Sequence, residues 1–410
     1  MQKPGVDGGD LTRMEVLSLI GRRGPTSRAE IARELDLSPA TVSQATRRLI
    51  EAGLLEPLDF EPSIGGRPAQ RLGLVATAGH AVGVKVAEDH VVLVGVSLDG
   101  VIQAEATGAL DLSSADPLGT VVGALRRFLP VVEGPSPLLG VGVAVPGVVR
   151  RPDVGVVDVA VLGWEQVRLG PRLRADLSVP VLVENNVKAL AVAERLYGRG
   201  RSRRSFAVLT VGRGVGFASV VDGVVWRGAT GGAGEIAHVS SSGGKVECGC
   251  GRRGCLETVA GEEGLVAAAR AAGAIAAREG FDALVRAADR GDRAARTVFA
   301  RAARQLGRAV AAPLAAVDPE LLVVAGEGTG AWGHWDGPFR SALAASMPPG
   351  MSGLPVEIDE WDDSNWARGA AAMVVAVAFD RHAHAGRQRP HVLARLQGAA
   401  ELDDDGMAIP

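Results

Sequence analysis

The sequence predicts a mixed α/β fold in which a small helical domain precedes a larger body of alternating strands and helices. Two capped helical segments near the start and a change to β-rich runs from Ala81 onward carry this prediction. The 410 residues are 47% hydrophobic, with 44 basic against 47 acidic side chains. This composition is typical of a globular chain with two or three domains of roughly 100–200 residues, and it excludes disordered and fibrous classes.

Membrane and export signals are absent from the sequence. No run reaches the roughly 18 apolar residues that a membrane-spanning helix needs. The first ten residues are polar and glycine-rich, without the basic and apolar regions of a secretory signal. We therefore expect a cytoplasmic protein with no membrane partner.

Three helices are expected at the N-terminus. Residues 11–24 place apolar side chains at three- and four-residue spacing, which predicts a helix with one buried face. Ser27 and Glu30 have the form of a capping box, so a second helix is expected to begin at Ser27. Ser38 is followed by a proline, which favours an N-cap and a third helix over about 39–52.

Two short helices separated by a three- or four-residue turn form the DNA-reading unit of helix-turn-helix proteins. The non-core positions of the third helix are polar and suit base edges and phosphates. They are Thr41, Ser43, Gln44, Arg47 and Arg48. The next segment reads as a hairpin whose tip carries Arg67 between glycines and a proline, which predicts a wing that reaches a minor groove.

A simple packing module is the alternative for this domain. Residues 1–75 hold ten basic and ten acidic side chains, so net charge does not decide between the two interpretations. The positions of the charges favour DNA, because Arg47, Arg48 and Arg67 fall on the predicted reading elements.

The body begins as strands alternating with helices, the pattern of an α/β domain. The β-rich runs are at 82–86, 91–96, 101–106, 140–145 and 179–183, with helices near 117–129 and 187–197. The last of these strands runs directly into Glu184, Asn185 and Asn186, at the position where ligands bind in open α/β sheets. Residues 212–216 then form a glycine-rich turn, which either cradles a ligand or closes a tight hairpin.

All three cysteines of the chain lie within eight positions of one another. With a nearby histidine they offer one imidazole and three thiolates, the ligand set of a closed structural zinc site. The four residues are His238, Cys248, Cys250 and Cys255. The alternative of three inert thiols does not explain this spacing, and four protein ligands leave no open position for catalysis.

This combination of motifs resembles the ROK family of repressors and sugar kinases, over about residues 11–379. The resemblance implies an actin-like (ribonuclease H-like) two-lobed body of the sugar-kinase type, with sugar bound in the cleft. By the family pattern, the sugar-binding residues are Asn185, Asn186, Glu235, His238 and Glu257, with the Pro146–Gly147 turn and the neighbourhood of Gly163–Trp164 beside them. His238 would use one ring nitrogen for zinc and the other for sugar.

Departures from the kinases that the chain resembles favour a regulator with no catalytic residues. Those kinases carry Asp-x-Gly-Gly-Thr after the first body strand, but residues 85–89 here read Lys-Val-Ala-Glu-Asp. They also carry a catalytic Asp where this chain has Asn186, and an amide cannot act as that general base. The turn at 212–214 reads Gly-Arg-Gly where the kinases usually have Gly-Thr-Gly.

The sequence therefore predicts a sugar-responsive repressor of operator DNA that forms a homodimer or higher homo-oligomer, with a sugar or sugar phosphate as effector. A zinc-containing ATP-dependent sugar kinase with a DNA-binding appendage is the alternative, and a constitutive DNA binder with an inactive cleft is the third. The expected divisions are a winged domain at 1–75, a first lobe at 76–186 and 365–380, a second lobe at 187–364 and a flexible tail at 381–410.

Overall fold

The protein is described here from a computed structural model that covers residues 8–61, 69–241, 246–359, 361–380 and 383–398. Its contacts divide into two compact units, residues 1–202 with 366–410 and residues 203–365. The boundary expected from the sequence lay at 186/187, whereas the helix predicted at 187–197 belongs to the first unit. Among the described residues, no helix is long and apolar enough to span a bilayer.

The first unit opens with the predicted winged helix-turn-helix. Its elements are α1 (Gly8–Arg23), β1 (Thr26–Ser27), α2 (Arg28–Glu34), α3 (Pro39–Glu51), β2 (Leu55–Glu61) and β3 (Ala69–Leu74). The strands form one small antiparallel sheet in the order β1-β3-β2. Val16, Ile31, Val42 and Leu72 are fully buried and form the centre of this domain.

A five-stranded sheet follows in the same unit. The elements are β4 (His80–Val86), β5 (His90–Ser97), β6 (Ile102–Ala109), α4 (Pro117–Val132), β7 (Leu138–Val145), β8 (Val148–Val149), β9 (Val157–Val159), β10 (Trp164–Val167), α5 (Leu169–Leu177), β11 (Val181–Asn185) and α6 (Asn186–Leu196). The sheet order is β11-β7-β4-β5-β6, with β4, β7 and β11 parallel and the β4-β5-β6 meander antiparallel. The predicted strands and helices of this region are confirmed.

The second unit repeats that topology. Its elements are β12 (Phe206–Val211), β13 (Val215–Val221), β14 (Val224–Val225), α7 (Glu257–Ala260), α8 (Glu262–Ala271), α9 (Phe281–Asp289), α10 (Arg293–Val317), β15 (Leu322–Ala325), α11 (Trp332–Ser346) and β16 (Val356–Ile358). The sheet order β16-β15-β12-β13-β14 matches β11-β7-β4-β5-β6 of the first sheet strand for strand, with β12, β15 and β16 parallel and β12-β13-β14 antiparallel. Two sheets of this order, each with helices packed on it, are the ribonuclease H-like, actin-like body, so the predicted fold class is confirmed.

The last two helices among the described residues are α12 (Ser364–Phe379), which enters the first unit at Trp366, and α13 (Arg389–Leu396). Helix α12 lies directly on the first sheet, since a Cβ on Gly83 would be 1.9 Å from the Ala367 carbonyl oxygen. Helix α13 corrects the expected flexible tail. Val392 is fully buried, and Arg395 donates to the Leu138 and Ser178 carbonyl oxygens. Residues 381–382 and 399–410 of that expected tail lie outside the described residues.

Candidate functional site

Helix α3 presents one buried and one exposed face. The buried positions are Val42, Ala45, Thr46 and Leu49, which pack into the winged domain. Of the predicted DNA-reading residues, Ser43, Gln44, Arg47 and Arg48 are exposed and Thr41 is half-buried. At 3.6 residues per turn these five positions share the face opposite the core. The structure therefore leaves the predicted reading face open to solvent.

Capping bonds fix where the two reading-unit helices begin. Ser27 and Glu30 form the predicted capping box, with the Ser27 amide 2.8 Å from Glu30 Oε2 and the Glu30 amide 3.3 Å from Ser27 Oγ. The Ser27 backbone N–H and then its hydroxyl lower the pKa of Glu30. Ser38 Oγ accepts from the Thr41 amide at 3.1 Å. Arg28 Nε donates to buried Thr46 Oγ1 at 3.0 Å and joins α2 to α3.

The wing is described only in its two strands. Strands β2 and β3 pair antiparallel from Leu55–Leu74 to Glu61–Ala69. Arg67, the predicted minor-groove residue, lies outside the described residues.

The predicted metal ligands converge in the second unit. The ligand atoms of His238, Cys248, Cys250 and Cys255 all lie within 4.8 Å of one another. His238 Nδ1 is 3.6 Å from Cys248 Sγ, and Cys250 Sγ is 3.6 Å from Cys255 Sγ. Tetrahedral bonds of 2.0–2.3 Å separate neighbouring ligands by about 3.5–3.8 Å. The four side chains thus form a group that could hold a metal ion.

Backbone hydrogen bonds fold the loop around this group into a tight turn, which we call the knuckle (residues 238–241 and 246–255). The Cys248 amide donates to Arg252 O at 2.8 Å, and the Gly251 amide donates to Cys248 O at 2.8 Å. Gly251 has a φ of +80°, a conformation that favours glycine. The Arg252 amide lowers the pKa of Cys250 to about 7, whereas burial raises the pKa of Cys255 to about 11. Of these two thiols, Cys250 is therefore the more easily ionised.

The predicted sugar-binding residues of this unit lie in or beside the knuckle. They are Glu235, His238 and Glu257. Glu257 opens α7 two residues after Cys255, and its Oε2 accepts from the Val215 amide at 2.9 Å. Burial raises the pKa of Glu257 to about 7, although the Val215 amide lowers it; the charge of Glu235 contributes to the rise. The His238 ring nitrogen that contacts the Cys248 thiol is Nδ1.

The other predicted sugar-binding residues lie together in the first unit. They are Asn185, Asn186 and Gly147. Asn185 is paired with Val145 where the parallel strands β7 and β11 end. Its Oδ1 caps α6 by accepting from the Val187 and Lys188 amides, and its Nδ2 donates to Gly147 O at 3.1 Å. Trp164 is buried in the apolar core of this unit instead of being open to solvent.

The glycine-rich segment 212–214 joins antiparallel strands β12 and β13, which is the hairpin alternative. Beside it lies a cavity of about 560 Å³. Its charged lining consists of Glu262, Glu279, Asp282, Arg286 and Glu327. A Cβ on Gly212 would lie 2.2 Å from Glu327 Oε2, so this carboxylate sits directly over the turn. Sequence reasoning missed this acidic lining, because its members come from three separated segments.

Comparisons with known proteins identify the family. Residues 84–376 match the ROK family, and residues 10–56 match a winged helix-turn-helix DNA-binding family. The chain belongs to the ROK family. The resemblance noted from the zinc motif and the capped helices is therefore confirmed.

Relatives of this ROK chain include repressors from several bacteria. It is 29% identical over 334 residues to the DNA-binding transcriptional dual regulator NagC of Escherichia coli, covering 77% of this chain and 80% of that one. It is 24% identical over 381 residues to the xylose repressor of Caldicellulosiruptor bescii, covering 89% and 96%.

Solved structures share the fold of this ROK chain. A ROK family transcriptional regulator homologous to the Escherichia coli MLC protein superposes with a TM-score of 0.77 at 23% identity, over 95% of this chain and 99% of the other. A ROK family glucokinase from Streptomyces griseus superposes with a TM-score of 0.61 at 22% identity, over 72% and 98%. The fold of the regulator thus extends over 95% of this chain, and that of the kinase over 72%.

Proposed function

We propose that this ROK protein is a transcriptional repressor that binds operator DNA and responds to a sugar. The observation that carries the proposal is the exposed polar face of α3, on a capped helix-turn-helix that is joined to a body of the sugar-kinase fold. Relatives named as repressors match this chain over most of their length. A protein that reads operator DNA works in the cytoplasm.

The proposed DNA contacts divide by chemistry. Gln44, Ser43 and Thr41 can donate to and accept from base edges in the major groove. Arg47 and Arg48 bind guanine or phosphate, and Arg67 on the wing enters the minor groove. Because one helix reads one half-site, we propose a homodimer on two half-sites about 34 Å or a multiple apart.

The proposed sugar-binding residues are mainly amides and carboxylates. In the first unit they are Asn185, Asn186 and Gly147. In the second unit they are Glu235, His238 and Glu257. The second hydrogen on Asn185 Nδ2 remains for a sugar hydroxyl after its bond to Gly147. Such groups discriminate hydroxyl patterns, because a mismatched sugar leaves a buried polar atom unpaired.

We propose that zinc occupies the knuckle. His238 Nδ1 and the three thiolates match zinc in ligand type, in number and in the separations of 3.6 Å. Bound zinc would supply only structural cross-linking, because four protein ligands fill its coordination. If His238 binds zinc through Nδ1, its Nε2 is left to hydrogen-bond the sugar, together with Glu235 and Glu257.

Phosphoryl transfer is not the function of this chain. The turn between β4 and β5 contains Ala87, Glu88 and Asp89 in place of a glycine pair and a hydroxyl. Asn186 cannot take the proton of an attacking hydroxyl. Four carboxylates and one guanidinium line the cavity beside residues 212–214. This excess of negative charge repels the phosphates of ATP. The three differences are independent, so a sugar kinase is excluded on chemistry.

The experiment uses the full chain and a library of genomic duplex fragments. Fragments retained by the protein identify the operator, and fluorescence anisotropy then measures the operator Kd. The titration is repeated with N-acetylglucosamine, xylose and glucose, the sugars that the names of relatives and of structural neighbours suggest. We expect one of these or a closely related sugar to weaken operator binding at least tenfold. Operator binding that no sugar in a wide panel alters would leave only a constitutive DNA binder.

A further inference from the structure

The end of helix α1 is held by a side chain from the body of the same unit. Gly24 has a φ of +82° and donates its amide to Ile20 O at 2.8 Å, which ends the helix. The next residue, Pro25, has no N–H, so the segment after α1 offers the Gly21 carbonyl no backbone donor. Arg201 Nη2 donates to that carbonyl at 3.2 Å. A cation at this end also complements the helix dipole.

Arg201 is in turn tied to the end of helix α6. It lies in a 3-10 turn, Arg199–Ser202, that begins three residues after α6 ends. Glu194 of α6 accepts from the Arg199 amide at 2.9 Å. A Cβ on Gly198 would lie 2.3 Å from Glu194 Oε2, so glycine at this position makes room for the carboxylate. The turn that carries Arg201 is therefore bonded to the last turn of α6.

Two more contacts join the body to the end of α1. Arg195 of α6 forms an ion pair with Asp380, and both side chains are close to nine-tenths buried, at 10% and 12% exposure. Arg22 of α1 lies within electrostatic range of both members of this pair. A Cβ on Gly21 would lie 3.5 Å from the Phe379 ring, so α1 also packs on the end of α12.

The opposite end of α6 carries residues of the proposed sugar site. Asn185 caps the helix and Asn186 is its first residue. All ten residues from Val187 to Leu196 are buried, so the helix is enclosed along its length. At about 1.5 Å per residue, its eleven residues span roughly 16 Å. One short, enclosed helix thus carries proposed sugar-binding residues at its start and contacts α1 near its end.

We propose that Arg201 is a positioning residue through which α6 sets the orientation of α1 and of the reading helix. The inference rests on the proposed function, because it assigns the path by which sugar at Asn185 and Asn186 reaches the winged domain. Helix α1 packs on α3, so a change at the Arg201–Gly21 bond alters the placement of the exposed DNA-reading face. A small shift of α6 at its sugar end is carried to α1 because packed helices move as rigid elements.

The test compares Arg201→Met with Arg127→Met, a matched control that removes an exposed guanidinium from α4. For each full-length protein, fluorescence anisotropy measures the operator Kd with and without N-acetylglucosamine, xylose or glucose. Calorimetry measures the Kd of the sugar itself. Hydrogen exchange measures the amides of residues 17–31. Arg201→Lys keeps a donor and the positive charge, and we expect it to retain an intermediate sugar response.

For Arg201→Met we expect the sugar Kd to stay within twofold of the wild type, while the ratio of operator Kd with and without sugar falls at least threefold. Exchange at the end of α1 should accelerate by about threefold to tenfold, the worth of one lost hydrogen bond. A responsive wild type with an equally responsive Arg201→Met protein would overturn the inference alone. A wild type that ignores both DNA and every sugar would overturn the proposed function instead. Unchanged exchange in Arg201→Met would show that Arg201 does not hold α1.

Discussion

Removal of the metal should open the knuckle while the rest of the second unit stays folded. The knuckle has little apolar packing of its own, since Val239 and Val246 are 41% and 60% exposed. The core of the unit lies elsewhere, around fully buried Phe299, Leu306 and Phe339. We therefore expect the proposed zinc cross-link between His238 and the three thiolates to provide most of the stability of the knuckle.

The size of the effect follows from binding linkage. A ligand present at 1,000 times its Kd stabilises the bound form by about 4.1 kcal/mol, which is a factor of about 10³ in the opening equilibrium. Chelation at neutral pH should therefore raise the open fraction of the knuckle about 10³-fold. Cys250→Ser should raise it less, because three ligands remain.

Limited proteolysis with trypsin measures this opening. Arg252 and Arg253 are exposed cleavage sites within the knuckle, and the Arg252 carbonyl is bonded to the Cys248 amide while the knuckle is closed. We expect rapid cleavage there after chelation and in Cys250→Ser. Glu247→Gln, which alters an exposed neighbour that is not a ligand, should stay protected. Cleavage at Arg126 and Arg127 of α4 gives the internal control.

Two results would refute this reasoning. Purified protein that contains less than one equivalent of zinc after expression with zinc present would remove the metal from the account. Equal cleavage rates at Arg252 and Arg253 with and without chelator would show that the thiolate group does not hold the loop.

Three other predictions concern the reading unit and the cavity. Arg47→Ala and Arg48→Ala should each weaken operator binding by about 1–3 kcal/mol if the arginine reads a base. If it binds phosphate, the slope of the logarithm of the binding constant against the logarithm of salt concentration should fall by about 1. Arg126→Ala, the control, should show neither effect in the same salt titration. Ser27→Ala should lower the free energy of unfolding by about 1 kcal/mol in denaturant titration. Since the capping box lowers the pKa of Glu30, its contribution is present above the ordinary glutamate pKa and is lost as the pH falls, so the wild-type advantage over Ser27→Ala should shrink in acid. Asn186→Asp should restore no ATP-dependent phosphorylation of glucose, because the phosphate loop is still missing and the cavity stays acidic; turnover at ordinary kinase rates would contradict this.

Elements specified by neighbouring residues could be predicted from the sequence. The capping box at Ser27 and Glu30 and the Ser38 cap lie within four positions of the helices that they start, so local hydrogen bonding fixes those boundaries. The metal-ligand group was equally predictable, because three of its members fall within eight positions and the fourth lies ten positions before them. Strands β4 and β7 of the first sheet could be predicted from their continuous apolar runs, because side chains on both faces of these strands are buried.

Features that depend on distant residues could not be predicted. The Arg201–Gly21 bond joins positions 180 apart, and no local pattern marks either partner except the proline at position 25. The acidic cavity gathers carboxylates from three separated segments. Helix α13 was expected to be part of a tail because residues 381–410 mix His, Arg and Gly with an acidic run after the last apolar helix. The helix instead packs on β7, and Arg395 donates to Leu138 O at the start of β7 and to Ser178 O just after α5.

The operator Kd of the full chain should be measured across a panel of sugars, at fixed salt and with zinc content verified. We predict nanomolar binding to a two-half-site duplex, and at least a tenfold change caused by a single sugar that also binds the free protein. An operator Kd that stays constant while the same sugar saturates the protein would contradict this prediction.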